Sequence, residues 1–313
     1  MELPPRTALF MKTLTKAALC ATYKYTGAMH SQEMLSRWFG RSFVAILLFH
    51  RVTDAIPEDG LTVSTARFEQ MCRMLRRNFH VVPLSEAYEL IRSGRPVPPR
   101  TVAITFDDSY RDNLFAARIL AEMELPACFF VPTSFLGTQR TFEWDRGLKR
   151  MPNLTWDDVR EMTRMGFEIG SHTVTHANLG SVSVDQARRE ICESKTIIEN
   201  ELGRPVRWFA YPFGGQTNFR ADCVPLVQEA GYDACFSGFG GFIQPGSKEW
   251  VLPREPVPYF RTNINLELHL TGCLSWFYGL KRRIGLMDRR PEAWFNGAAT
   301  TEDLVSDPVC RGW

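Results

Sequence analysis

The sequence predicts an α/β fold in which parallel strands and covering helices close, or nearly close, into a β/α barrel. Three observations carry this. From Phe43 onward, apolar strand-like runs alternate with stretches of helical periodicity. The runs are continuously apolar rather than alternating in polarity, as strands buried on both faces require. About six such units fit into about 210 residues, which suits a barrel; an open doubly wound sheet is the runner-up.

The elements follow in order. Phe43–Phe49 (FVAILLF) is the first run, with helical stretches near Ala66–Asn78 and Ser85–Ser93. Pro96–Pro99 makes one short connection before Val102–Phe106 (VAITF) and a helix near Leu114–Glu124. Ala127–Val131 (ACFFV) is the third run. Thr155 and Asp158 form a capping pair ahead of a helix over Val159–Met165, which Gly166 stops. After the short run Phe167–Ile169, Ser183 with Gln186 caps a long helix that Gly203 ends. Arg207–Ala210 and Ala234–Ser237 read as strands flanking a helix at Pro225–Ala230. Leu266–Leu286, apolar and aromatic with Lys281, Arg282 and Arg283, reads as a further amphipathic helix, and the last twenty residues as loosely ordered. The chain thus divides into an N-terminal helical extension (1–42), a central domain (43–256) and a C-terminal extension (257–313).

Composition excludes several classes of function. The chain has 37 basic against 35 acidic residues, a net charge of +2 without a long basic block, so nucleic acid is not an expected partner. Its 8 cysteines form no CxxC pair and fall mostly in apolar runs, so they read as buried thiols. No run of about 18 apolar residues exists to span a membrane. Lys16 and Lys24 interrupt the place where a signal peptide would need its apolar stretch. The N-terminal segment then reads either as an interfacial helix in peripheral membrane contact or as a helix packed on the domain. Without a clear signal peptide, a cytoplasmic or membrane-peripheral location is expected, although an envelope function stays open.

In parallel β/α folds, working residues gather at the C-terminal ends of strands. Here His50 and Arg51 follow Phe43–Phe49, and Asp107 and Asp108 follow Val102–Phe106. His172 and His176 lie just beyond Phe167–Ile169, and the loop Tyr211-Pro212-Phe213-Gly214 follows Arg207–Ala210. Adjacent aspartates on an extended backbone diverge, so one can bind a metal while the other acts on a nearby water; alternatively the pair caps the helix that starts near Arg111. His172 and His176 have the spacing that puts two imidazoles on one face of a helical turn. With one carboxylate they make three ligands and leave a position for water, as catalytic zinc sites require. Phe142, Trp144 and Trp156 are candidates for stacking on sugar rings or for packing, and Asp145 for a substrate contact or a structural role.

These residues resemble a known family. TFDDS (Thr105–Ser109), SHTVTH (Ser171–His176) and FAYPFG (Phe209–Gly214) are similar, in order and separation, to the first three motifs of the polysaccharide deacetylase, or NodB-like, carbohydrate esterases. ILLFHRV (Ile46–Val52) and LPRE (Leu252–Glu255) are similar to a bacterial exopolysaccharide deacetylase branch, and the resemblance covers about Phe43 to Pro256. It implies a distorted (β/α) barrel of the NodB-homology type, with the terminal helical extensions outside it. It also implies hydrolysis of the acetamido group on N-acetylhexosamine units of a glycan. It assigns Asp107 as general base and Asp108, His172 and His176 as ligands of a divalent metal, zinc first, with cobalt or nickel as alternatives. A backbone N–H in the Tyr211–Phe213 loop would help bind the oxyanion.

Two departures from the family pattern stand out. The third motif usually carries an arginine that orients the catalytic aspartate, but Ala210 holds the matching place. Arg254, at a following strand end, is the candidate substitute. The general acid usually comes from a late apolar-apolar-Leu-x-His motif, whereas here Ile46-Leu47-Leu48-Phe49-His50 fits that form at the start of the domain. This resembles the circularly permuted poly-N-acetylglucosamine deacetylases and points to His50, with His269 as competitor. Two rivals remain: an amidase acting on a small amide, favoured by a closed site, and a glycan-binding relative without turnover.

Overall fold

The computed structural model describes residues 42–148, 151–215, 217–247, 250–260 and 262–272, with 22 and 25–27 besides. Its frame is a parallel sheet. The strands are β1 (Val44–Phe49), β2 (Arg51–Val52), β3 (Thr62–Val63), β4 (His80–Val81), β5 (Thr101–Phe106), β6 (Cys128–Val131), β7 (Glu168–Ser171), β8 (Trp208–Ala210), β9 (Ala234–Phe236) and β10 (Glu255–Pro256). In space they run β10-β1-β5-β6-β7-β8-β9, with β4 added beside β5 and β2 paired with β3 apart from the sheet. All of these pairs are parallel.

The sheet curls back on itself. Leu252 forms a parallel bridge with Phe236 at the end of β9, and three residues later Glu255 pairs with Leu47 of β1. The stretch from Leu252 to Pro256 therefore stands between the last strand and the first. On the β9 side that one bridge makes the ring, which is the distortion in a distorted barrel. The expected fold class is the one observed.

Side chains sort by the two-residue alternation of strands. Val44, Ile46, Ala103, Phe130, Trp208 and Phe236 share one buried cluster with Leu84, Ala87, Tyr88 and Ile91 of a helix, Leu84–Arg92, that plugs the barrel. Ala45, Leu47 and Phe49 point the other way, into the larger cluster under the covering helices. Gly170 in β7 is required by close packing, because a Cβ there would lie 2.5 Å from the Phe130 ring.

The helices are α1 (Thr65–Asn78), α2 (Leu84–Arg92), α3 (Asp112–Glu122), α4 (Trp156–Arg164), α5 (Val184–Leu202), α6 (Cys223–Glu229) and α7 (Asn263–Leu270). Phe68, Met71, Cys72 and Leu75 are the buried stripe of α1, at the helical spacing. Thr155 and Asp158 form the expected reciprocal capping box on α4, and Gly203, at φ 64°, ends α5. Most expected elements recur within two residues of their expected ends.

The tail departs from expectation. The helix expected over Leu266–Leu286 begins instead at Asn263, because the Thr262 side chain caps it by accepting from the Asn265 N–H at 3.3 Å. Leu266 and Leu270 join the main core, and Asn78 Nδ2 donates to Glu267 Oε1 at 2.8 Å, so residues 257–260 and 262–270 continue the same body. The expected N-terminal extension (all but 22, 25–27 and 42 of residues 1–42), the basic cluster Lys281–Arg283 and the last twenty residues lie outside the described residues. No helix among the described residues is long and apolar enough to cross a membrane.

Candidate active site and metal centre

Four strand ends and the ring-closing stretch open onto one cavity of about 390 Å³. His50 follows β1, Asp107 and Asp108 follow β5, His172 follows β7, Phe213 lies beyond β8, and Arg254 sits in the ring-closing stretch. All of these line the cavity, as does His176. Asp107 N–H donates to the Phe49 carbonyl at 3.0 Å, which locks the first aspartate beside the strand that carries His50.

Arg254 grips Asp107 with two parallel bonds, Nη1 to Oδ1 at 2.7 Å and Nη2 to Oδ2 at 2.6 Å. Arg254 is itself held by Nε donating to the Ser237 carbonyl at 2.9 Å, and its guanidinium lies 5.0 Å from the centre of the Phe130 ring. Both residues are buried. Burial alone would raise the Asp107 carboxyl; the charges of Arg254 and His172 override it and hold the group below the ordinary carboxylate range. A bidentate pair of this kind orients the carboxylate as well as keeping it ionised.

Asp108, His172 and His176 form the group able to hold a metal, one ligand atom from each lying within 4.8 Å of the others. Asp108 Oδ1 is 3.2 Å from His176 Nε2 and 3.6 Å from His172 Nε2. His172 Nδ1 lies 2.8 Å from the Ala210 carbonyl, which can only accept. Nδ1 therefore carries a proton, and Nε2 is the ring atom that faces the carboxylates. Asp108 Oδ1 is buried without a hydrogen bond from within the protein. Burial opposes the Asp108 charge, but His172 and His176 push its carboxyl well below the usual range. One carboxylate oxygen and two imidazole nitrogens, buried with an electron pair in want of a partner, fit a divalent cation of borderline softness.

The backbone that assembles this group is not what the spacing implied. Residues 172–176 are a turn, not a turn of helix, with Thr173 at φ 68° and His176 at φ 58°. Asp108 and Ser109 are also left-handed, at 72° and 57°, so the aspartates leave the strand rather than alternate along it. Such conformations cost energy for non-glycine residues and need support from around them. Glu190 on α5 provides it: its carboxylate accepts from the Val174 and Thr175 N–H groups, each at 2.8 Å, and from Thr175 Oγ1 at 2.6 Å. Nor do the aspartates cap α3, whose N-cap residue is Arg111 and has no side-chain cap bond. Sequence reasoning passed over Glu190 because a single glutamate on a helix carries no motif.

Other candidates sort by position. His50 lines the cavity; burial lowers its pKa against the opposing pull of Asp108 and Asp107, and its Nδ1 has no hydrogen bond within the protein. His269 lies on α7, 3.1 Å from Glu255 Oε1 and between the rings of Phe242 and Phe260, away from the cavity lining. Tyr211 points into the core and its N–H donates to the Phe236 carbonyl at 2.9 Å, while Pro212 has no N–H; Phe213 alone of the three lines the cavity. The same loop is fixed by Gly214, at φ 64°, where a Cβ would lie 2.3 Å from Gly238 N. Trp144 also lines the cavity, 5.4 Å from the His176 ring, whereas Phe142 packs with Phe135 and Trp156 against the core. Asp145 is 4% exposed and bonded to Arg51 and to Tyr110, so it does not face the cavity.

Residues 94–235 match the model of the polysaccharide deacetylase family. The chain carries a polysaccharide deacetylase domain. The Bacillus subtilis protein YxkH, named for the same family, is 24% identical over 204 residues, covering 64% of this chain and 65% of its own. The poly-β-1,6-N-acetyl-D-glucosamine N-deacetylase of Escherichia coli O157:H7 is 32% identical over 179 residues, covering 53% of this chain and 26% of that enzyme. The chain thus spans from about a quarter to just under two thirds of these relatives. Among solved structures, a Streptococcus pyogenes deacetylase, PplD, in complex with acetate superposes with a TM-score of 0.62 at 22% identity, over 73% of this chain and 98% of that one; it shares the fold. Within the deacetylase domain the matched stretch ends at Cys235, so His50 and Arg254 reach the cavity from outside it.

Proposed function

We propose that this deacetylase domain removes the N-acetyl group from N-acetylhexosamine units of a polysaccharide or glycan precursor, with a divalent metal, zinc first, held by Asp108, His172 and His176. The observation that carries the reading is the Asp107–Arg254 pair beside that three-residue group, a carboxylate kept charged and aimed next to a place for a cation. Lewis-acid polarisation of the acetyl carbonyl and acidification of water are what such a cation supplies when bound. Asp107 takes the proton of the attacking water; each carboxylate oxygen keeps a second lone pair for this despite its bond to Arg254. The Phe213 N–H is the loop donor left to face a developing oxyanion, since Tyr211 has spent its own and Pro212 has none. His50, which lines the same cavity, passes a proton to the departing amine nitrogen.

Exposure at the rim favours a glycan over a small amide: Phe213 and Tyr259 line the cavity and are 52% and 61% exposed, so the site opens outward. The test is acetate release from N-acetylglucosamine oligomers by protein that has been chelated and then re-supplied with zinc or cobalt. Release that depends on metal and is lost in Asp107→Asn is expected; no release with metal bound would remove the deacetylase reading. Substituting His50 is expected to abolish the alkaline limb of the pH–rate profile, and an unchanged limb would return the acid to another residue.

A further inference from the structure

Arg51 follows His50 in sequence, yet it takes no part in the chemistry above and is only 1% exposed. Its guanidinium binds two carboxylates from two different loops. Nη1 bonds Asp145 Oδ1, and Nη2 donates to Asp59 Oδ2 at 2.8 Å. The first arm continues to the cavity. Tyr110 OH donates to Asp145 Oδ2 at 2.6 Å and accepts from Trp144 Nε1 at 3.0 Å, which sets Trp144 against His176 and Phe213. The second arm does the same for another wall. Asp59 Oδ1 accepts from the Leu61 and Thr62 N–H groups at 2.8 and 2.7 Å, beside Gly60, and both Gly60 and Leu61 line the cavity.

Stability alone does not account for such a residue. Burying a guanidinium costs several kcal/mol, and a buried ion pair is often no more stable than a well-packed apolar side chain of similar volume. What it supplies is geometry, because a planar fork with two partners fixes both at once. The walls it fixes, Leu61 and Trp144, are neutral and apolar or aromatic, as are Phe213 and Tyr259 in the same lining, while the charges among the described lining residues lie with Asp107, Asp108 and Arg254. Such walls suit the faces of an uncharged sugar ring.

We propose that Arg51 is a specificity-determining positioning residue, whose buried guanidinium ties together the two loops that wall the cavity and so fixes the opening through which an N-acetylhexosamine unit reaches Asp107. The sugar half of this inference rests on the deacetylase reading; the tie between the loops does not. The test uses the full chain and three variants. Asp145→Asn cuts one arm, Asp59→Asn the other, and Arg51→Met both. Hydrogen exchange needs no substrate and reads the walls directly. Asp145→Asn is expected to raise exchange about tenfold within 139–148 and leave 53–61 unchanged, and Asp59→Asn to do the reverse. With N-acetylglucosamine oligomers, each variant is expected to raise KM about tenfold while kcat changes by no more than about threefold. Exchange that rises in neither loop, or kcat and KM that worsen together in step with a lower melting temperature, overturns the proposal and leaves Arg51 a structural ion pair. If Arg51→Met does not fold, the two aspartate variants decide alone. Wild-type protein that releases no acetate overturns the deacetylase reading instead, and the exchange pattern still decides whether Arg51 ties the walls.

Discussion

Asp107 has both oxygens engaged by one arginine, and that single contact makes a sharp mutational contrast. Arg254→Lys keeps a positive charge but loses one of the two parallel bonds. It is expected to lower kcat about 100-fold while the melting temperature falls only a few degrees. Arg254→Met strands a buried carboxylate and is expected to cost about 3–5 kcal/mol of stability, read by chemical denaturation. Equal loss of turnover and stability in the lysine variant would make Arg254 a structural residue. Asp112, at the start of α3, gives a prediction of a different kind. Burial raises its carboxyl to about 7 against the bonds from Val52 and Asn113, and its Oδ2 is buried without a partner. Between an unfolded value of about 4 and that of the fold, the native chain binds the extra proton, so stability falls as pH rises through this window and the whole penalty is present above it. Asp112→Asn removes the penalty. It is expected to stabilise the protein by about 2–4 kcal/mol at pH 8, allowing for partial exposure, and by nearly nothing at pH 4. Melting curves at the two pH values check this; a gain of equal size at both would refute it.

At the scale of the element, the turn over residues 172–176 shows why a short motif is readable and its geometry is not. Two histidines four apart imply one helical face; two left-handed residues bring the same rings together by another route, and nothing local in the letters distinguishes them. The support comes from α5, where Glu190 binds the turn in three places. Glu190→Gln keeps the shape but offers one acceptor oxygen instead of two, and it is expected to weaken metal affinity about 10- to 100-fold. Competition against a chromophoric chelator measures this, and affinity equal to wild type would show that the turn holds itself. Elements with long periodic signals, α1 and α5 among them, were legible, α5 with its caps, because side chains near in sequence decide them. The strands β2, β3 and β10, two residues each, carry no period to read, and β10 is a Glu-Pro pair that only its neighbour makes a strand.

Over the whole molecule, the apolar runs made the parallel barrel legible, and the positions just after them made most of the cavity legible, from His50 to Phe213, while Arg254 came from the place that Ala210 leaves open. What was not legible joins distant parts: the Arg51 links to Asp59 and Asp145, the docking of α7 against Asn78, and the stretch Leu252–Pro256 that closes the ring. A cation held as proposed by Asp108, His172 and His176 would draw ligands from the end of β5 and from the turn after β7, tying separate strands of the native state, and would have no such partner in the unfolded chain. Metal at about a hundred times its dissociation constant is expected to add about 2.7 kcal/mol, seen as a melting temperature that rises with zinc and falls with chelator. A melting temperature indifferent to both would speak against the three-residue site. The ring closure has its own consequence for how this protein is born. Leu47 and Glu255 are neighbours in the sheet although some two hundred positions separate them along the chain. A contact of such range is among the slowest to form, and its closing stretch is synthesised after every other strand among the described residues. That same stretch delivers Arg254 to Asp107. Until it docks, a nascent chain holds Asp107 without its arginine partner, so the barrel completes its wall and arms its carboxylate in a single late event.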